Sequence, residues 1–398
     1  MGRTGLARLG LISLGLALLL GGLVPSAVVA EGTAPAAVGR TATVPALHVS
    51  TLVHDLSVPW DVKPLPGGRL LIDERTERRL IVWKDKHQTI LQFPSAKVWA
   101  SGETGLMGLA VDPSFARNRL IYTCQGGFKK SGRHDVRVVQ WRMNSSYTGV
   151  SQVRVLVSGF PTSSGRHGGC RLLIPRNGSL MVGTGDAAIG TNPQSLRSFG
   201  GKVLRLNRNT GAPWAKNPWP RARSIVRRYV YNYGHRNVQG LVQRSDGSIW
   251  SVEQGTYRDD EVNKLVAAGN YGYNPVPGYN ESVPMTDYKL PGRQIGARWS
   301  SGDPTLATSG GVWISGKRWG AYNGTLAVAA LKANEVVFLK FNKAGTLLWT
   351  RTPSALRSSG RLRSLTMAPG GDLLVTTSND DGSTHGSDKV LRVHPILG

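Results

Sequence analysis

The chain has 398 residues, 40% of them hydrophobic, and carries 49 Lys and Arg against 24 Asp and Glu, a formal charge of +25. Its two cysteines alone make no zinc site, and beyond the N-terminus no stretch is long and apolar enough to span a bilayer. No helix-turn-helix, zinc-finger or RNA-binding signature accompanies the basic charge, so nucleic acid is not an expected partner.

Arg3 and Arg8 precede an apolar run over residues 9–24, and Val28-Val29-Ala30 ends in small side chains before Glu31. This is the layout of a secretory signal peptide over 1–30, cleaved after Ala30; the alternative is an uncleaved anchor. Residues 31–45 are rich in Pro, Ala and Thr and read as a flexible lead-in. Residues 1–30 hold two arginines and no acid, so the processed chain keeps 25 − 2 = +23. That charge favours electrostatic association with an anionic cell envelope. Cys124 and Cys170 would pair in an oxidising compartment if geometry allows, or remain two buried thiols on neighbouring strands.

A short pattern then recurs along the chain: a turn with Gly or Asn, then Leu or Ile, then an apolar strand. Its six copies are GGRLLID (67–73), RNRLIYT (117–123), NGSLMVG (177–183), DGSIWSV (246–252), NGTLAVA (323–329) and GGDLLVT (370–376). Their spacing leaves room for about four short strands per unit, the size of a propeller blade. Amphipathic helical periodicity is nearly absent outside the leader. The fold expected over residues 46–398 is all-β, a six-bladed β-propeller; two unrelated sandwiches are the alternative.

Five stretches carry polar chemistry, each beside a blade repeat. SGETGLMGLAVDP (101–113) offers Glu103 between glycines. GRHGGCRL (165–172) offers His167, whose neutral imidazole can act as a general base. YNYGHRNVQG (231–240) presents Arg236 and Asn237, a guanidinium able to polarise a carbonyl or hold a carboxylate. SVEQGTYRDDEVNKLVAAGNYGY (251–273) gathers Glu253, Gln254, Asp259, Asp260 and Glu261 around Gly255, hard oxygen donors suited to Ca²⁺ but not in EF-hand order. Late in the chain come Lys332, Arg361 and Arg363, with the two arginines at alternate positions and so on one face of an extended segment. Against each stands a plain reading: a solvated turn for Glu103, an inert loop histidine for His167, a loop tied down by Arg236 and Asn237 through backbone bonds, an exposed acidic turn for 253–261, and strand-edge charges for the late cations.

Taken together, VPWDVKPLPGGRLLIDER, GETGLMGLAVDPSF, GRHGG followed by GTGD, GGKVLRLN, YGHRNVQGL, EQGTYRDDEVNKL with NYGY, and GRLRSL resemble the soluble PQQ-dependent sugar dehydrogenases over nearly the whole processed chain. The resemblance implies a six-bladed propeller that binds PQQ and Ca²⁺, oxidises the anomeric hydroxyl of an aldose sugar to a lactone and passes electrons to an external acceptor, as a monomer or homodimer. It implies His167 as the base, Arg236 and Asn237 on the quinone oxygens, and Glu103, Gln254 and Asp260 in the cofactor pocket. It further implies carbonyls of Gly255 and Thr256 on the cofactor's Ca²⁺, Glu261 and Tyr271 at a second Ca²⁺, and Lys332, Arg361 and Arg363 on the tricarboxylate. Four positions depart from the glucose-oxidising branch: Glu103 for glutamine, Arg166 for the acid before the base, Thr256 for proline, and Thr191 where an amide is expected. A non-redox propeller binding envelope glycans or proteins is the rival reading, and a Ca²⁺-dependent hydrolase of lactones or esters a third.

Overall fold

The computed structural model describes Gly2, residues 43–380 and residues 384–396. The expected signal peptide therefore lies, apart from Gly2, outside the described residues, as does most of the lead-in. Among the described residues no helix is long and apolar enough to cross a membrane.

The strands fall into six four-stranded antiparallel sheets. The first strand, β1 (Leu47–Leu56), is followed by blade one: β2 (Pro59–Leu65), β3 (Arg69–Glu74), β4 (Arg79–Lys84) and β5 (His87–Ile90). Blade two comprises β6 (Leu106–Val111), β7 (Leu120–Phe128), β8 (His134–Met143) and β9 (Val150–Phe160). Blade three comprises β10 (Arg171–Leu173), β11 (Ser179–Gly183), β12 (Lys202–Asn207) and β13 (Val230–Tyr233), and blade four β14 (Val238–Gln243), β15 (Ile249–Glu253), β16 (Glu261–Lys264) and β17 (Trp299–Ser300). Blade five comprises β18 (Thr308–Trp313), β19 (Leu326–Ala330), β20 (Glu335–Phe341) and β21 (Leu347–Arg351), and blade six β22 (Leu362–Met367), β23 (Leu373–Thr377) and β24 (Asp388–Pro395). Blade six is completed by β1, which pairs antiparallel with β24 from Leu47↔Pro395 to Leu56↔Asp388. The fold is the six-bladed propeller that the repeats predict.

Each of the six sequence repeats leads into the second strand of a blade: β3, β7, β11, β15, β19 and β23. The preceding turn needs a positive φ, which Gly178 (φ 79°) and Gly247 (φ 92°) adopt without a side-chain penalty. The apolar residues that follow then point alternately to either face of the blade, so both faces are apolar. Consequently the core is divided among six clusters, one between each pair of adjacent blades. Leu71, Leu109 and Trp141 fill the gap between blades one and two, and Trp250, Val328 and Phe341 that between blades four and five. Cys124 of β7 and Cys170, just before β10, form a disulfide that ties blade two to blade three.

The innermost strands β2, β6, β10, β14, β18 and β22 neighbour one another in turn, and β22 returns to β2, closing the ring. They all run in the same sense along the central axis. The loops that enter them therefore meet at one mouth, and their C-terminal ends meet at the other.

Candidate functional site

Glu103, His167, Arg236, Asn237 and Arg361 all lie in the few residues that lead into an innermost strand, which gathers them at one mouth. His167 precedes β10 and is 2% exposed. Its backbone is held at φ 51°, an uncommon region for a non-glycine residue. Its Nδ1–H donates to Oδ1 of Asp186 (2.8 Å), a residue that is fully buried. The Tyr279 hydroxyl sits 3.0 Å from the same Nδ1 and donates to Oδ2 of Asp186 at 2.7 Å. This fixes the tautomer with the proton on Nδ1 and leaves Nε2 as an acceptor, with no hydrogen-bond partner among the described residues.

The glycines around His167 serve neighbouring backbone rather than a ligand. A Cβ on Gly185 would lie 1.8 Å from the His167 carbonyl oxygen, and one on Gly165 would lie 1.9 Å from the Ser101 carbonyl oxygen. The bare Gly165 lets the entry loops of blades two and three interleave, and the bare Gly185 lets the end of β11 pack on the His167 loop of the same blade.

Asn237 links the base to the rest of the site. Its Oδ1 accepts from Gly169 N–H (3.1 Å), and its Nδ2 donates to Oε2 of Glu103 (3.2 Å) and to Oε1 of Gln254 (3.3 Å). The same Glu103 oxygen accepts the His167 backbone N–H at 3.2 Å. Arg236 is 4% exposed. Its backbone N–H donates to Glu253, its Nη1 to the Gln254 carbonyl (3.2 Å), and its Nη2 to Glu281 (2.7 Å). Its carbonyl accepts from Asp186 N–H at 2.8 Å, so the guanidinium-bearing loop and the base's carboxylate partner are stitched backbone to backbone.

Arg361 and Arg363 come together with a third arginine, Arg75, which the sequence reading did not single out. Burial and the guanidinia of Arg75 and Arg361 push Arg363 down to about 9. Glu103 offsets part of this positive charge, since it acts on both Arg75 and Arg363. That explains how a carboxylate is tolerated where the related branch has an amide. Lys332 follows β19 with its side chain exposed, and its backbone N–H donates to Leu306 O at 3.0 Å, on the segment that Asp260 holds.

The 254–260 loop is tightly wound. A Cβ on Gly255 would lie 2.3 Å from the Arg258 carbonyl oxygen. Asp260 spends its carboxylate on this loop: Oδ1 accepts from Gly255 N–H (3.0 Å), and Oδ2 from Thr305 Oγ1 (2.8 Å) and Leu306 N–H (2.7 Å). Among the described residues, the carbonyls of Gly255 and Thr256 accept no hydrogen bond. Glu261 faces Glu253 across the β15–β16 ladder, and burial followed by the Glu253 charge raises its carboxyl. Tyr271 lies on the far side of His235, whose ring stacks on it at 4.5 Å and whose Nδ1 bonds Glu253 at 2.7 Å. The Tyr271 hydroxyl donates to Lys264 O and accepts from Val266 N–H. Among the described residues no cluster of three or more His, Cys, Asp or Glu side chains is arranged to hold a metal.

Sequence reasoning misses Asp186 although GTGD contains it, because its only signal is a lone acid after a strand. Tyr279 and Glu281 gave none. They come from the long connection between β16 and β17, and only the fold brings them to His167. Glu281 also accounts for Arg166: Nη2 of Arg166 donates to both of its oxygens at 2.8 Å, so the carboxylate beside the base comes from another blade. Thr191 offers no amide, but the next residue does, for Asn192 Nδ2 donates to Asp186 O at 2.8 Å.

A sequence profile described as Glucose / Sorbosone dehydrogenase matches residues 56–391. The aldose sugar dehydrogenase YliI of Escherichia coli is 25% identical over 361 residues, 88% of this chain and 93% of that protein. Quinoprotein glucose dehydrogenase B of Acinetobacter calcoaceticus is 28% identical over 258 residues, 58% of this chain and 53% of that protein. Among solved structures, the PQQ-bound form of an aldose sugar dehydrogenase from Streptomyces coelicolor superposes with a TM-score of 0.74 at 26% identity, covering 88% of this chain and 99% of that one.

Proposed function

The chain belongs to the glucose/sorbosone dehydrogenase family, and we propose that it is an exported PQQ- and Ca²⁺-dependent enzyme that oxidises the anomeric hydroxyl of aldoses to lactones. The observation that carries this reading is the buried His167 with Nδ1 locked on Asp186, Nε2 free, and a crowd of guanidinia beside it. The family does not favour the non-redox alternative.

The residues present suit the cofactor. Arg75 and Arg236 each have a buried Nε with no hydrogen-bond partner among the described residues, and Arg363 is crowded by like charge. A flat ligand with three carboxylates relieves these costs. Arg361, Arg363 and Lys332 would hold its carboxylates, while Arg236 and Asn237 would face its quinone oxygens. The unclaimed carbonyls of Gly255 and Thr256 are hard donors suited to Ca²⁺, and Asp260 keeps the loop in the shape that presents them. A second Ca²⁺ near Glu261 and Tyr271 would ease the opposed pair Glu253 and Glu261, using the second lone pair of the Tyr271 carbonyl, which accepts from Thr286 Oγ1 at 3.1 Å.

When bound, the quinone supplies the two-electron acceptor that takes the hydride from the sugar's anomeric carbon. The protein does the proton chemistry. Nε2 of His167 takes the proton of the anomeric hydroxyl, and the imidazolium so formed is stabilised by Asp186. Tyr279 holds the Asp186 carboxylate in place, and Glu103 anchors the backbone of the base. An external acceptor would then reoxidise the cofactor. The test is reconstitution of purified protein with PQQ and Ca²⁺, then dye reduction across an aldose panel. Cofactor binding with turnover is expected; no binding and no turnover on any aldose overturns the proposal.

A further inference from the structure

At the mouth opposite His167 the innermost strands line a cavity of about 460 Å³, within the usual size of small-molecule sites. Each innermost strand gives it one apolar wall: Pro64, Leu109, Leu173, Leu241, Val312 and Leu365. At its inner end sits Arg171, 4% exposed. Nη1 of Arg171 pairs with Asp61 Oδ2 at 2.8 Å, its Nε donates to the Gln239 carbonyl at 2.8 Å, and its guanidinium lies 4.2 Å over the Trp60 ring. Its Nη2 is buried without a hydrogen-bond partner among the described residues and lies against Gly310, another wall of the cavity.

The local charge does not cancel. Asp61 is shared by two cations, Arg171 and Lys63, the latter 2.8 Å from Asp61 Oδ1 and lining the cavity. The neighbouring Asp73 accepts from Asp61 N–H and forms an ion pair with neither cation, and burial with the Asp61 charge raises its carboxyl. A buried guanidinium with an idle donor at the end of an apolar tunnel is costly unless an acceptor meets it.

We propose that this tunnel is a second, non-catalytic binding site for a monoanionic amphiphile, a carboxylate whose head group meets Arg171 Nη2 and whose apolar body lies along the tunnel wall. The site shares no residue with the His167 mouth, and its occupancy is measurable without cofactor.

The experiment is isothermal titration of the full cofactor-free chain with decanoate, decanol and acetate. Decanoate is expected to bind one saturable site at least tenfold more tightly than decanol, which lacks the charge, or acetate, which lacks the tail. Arg171→Met should weaken decanoate at least tenfold. Because that change also strips Asp61 of a partner, Ser315→Trp provides a second variant: it adds bulk to the cavity from an exposed lining position outside the blade cores and leaves every charge in place. It too should abolish binding, with an unchanged circular-dichroism melt. No binding at millimolar decanoate, equal binding of decanol, or decanoate binding undiminished in either variant overturns the proposal.

Discussion

Replacing Asp186 with Asn removes one charge and little else. Oδ1 of Asp186 accepts from His167 Nδ1–H and from Ala188 N–H, both at 2.8 Å, and the backbone donor cannot become an acceptor. Oδ2 accepts from the Tyr279 hydroxyl at 2.7 Å, and a hydroxyl can turn to accept instead. The asparagine should therefore settle with its oxygen toward His167 and its amide toward Tyr279, keeping the imidazole in place. What is lost is the attraction between a carboxylate and the imidazolium formed when Nε2 takes a proton. At about 4 Å between charge centres and an effective dielectric of about 20, that attraction is worth about 4 kcal/mol. Steady-state dye reduction by the reconstituted variant should accordingly show kcat lower by about 10³ with KM little changed. A variant that keeps kcat within tenfold of the parent, with an unchanged circular-dichroism spectrum, refutes Asp186 as the stabiliser of a protonated His167.

Arg363→Gln relieves like-charge crowding, so the cofactor-free protein should melt about 1–2 °C higher while its affinity for PQQ, read by fluorescence quenching, falls at least tenfold; weaker binding with no thermal gain would mean that Arg363 is not strained. Lys202 is fully buried and donates to the carbonyls of Asn192, Pro193 and Gly200 at 2.6, 3.0 and 2.6 Å. Lys202→Met leaves these three acceptors unsatisfied and should cost about 3 kcal/mol or more in urea unfolding. Burial pushes the Lys202 ammonium down from 10.5 to about 7. The unfolded chain then binds more protons than the folded one between those values, so this group makes stability rise with pH across that window; urea midpoints at pH 7 and 9 should show the rise in the parent and lose it in Lys202→Met. Converting Cys124 and Cys170 both to Ala removes a cross-link spanning 46 residues, worth about 4 kcal/mol by chain entropy, and a loss under about 1 kcal/mol in guanidinium unfolding would exclude that account.

The blades were legible because each repeat couples a turn that needs positive φ to a strand that is apolar on both faces, and both signals are local. The same is true of His167, Arg236 and Asn237, which sit in short loops entering innermost strands, where residue type and position in the repeat coincide. Tyr279 and Glu281 were not legible. They lie in a stretch with little regular structure, 112 residues from His167 in the case of Tyr279, and no periodicity places them. Arg75 was passed over for a related reason: in a chain this basic, one more arginine in a charged run carries no signal until burial sets it beside Glu103 and Arg363. The glycines around His167 mark close backbone approach, Gly165 to Ser101 of the preceding blade and Gly185 to His167 of its own.

Blade six is built from both ends of the chain, β1 pairing with β24 over 300 residues away. Synthesis therefore delivers a sheet that cannot be completed until its last strand emerges. For all that time β1 is an unpaired edge strand, open to pairing with another chain, and the ring of blades has no closed wall. Contacts of such long sequence separation also form slowly. A cell making this protein must therefore keep the propeller from closing wrongly until β24 has emerged, and deletions that reach into β24 are far more damaging than their length suggests.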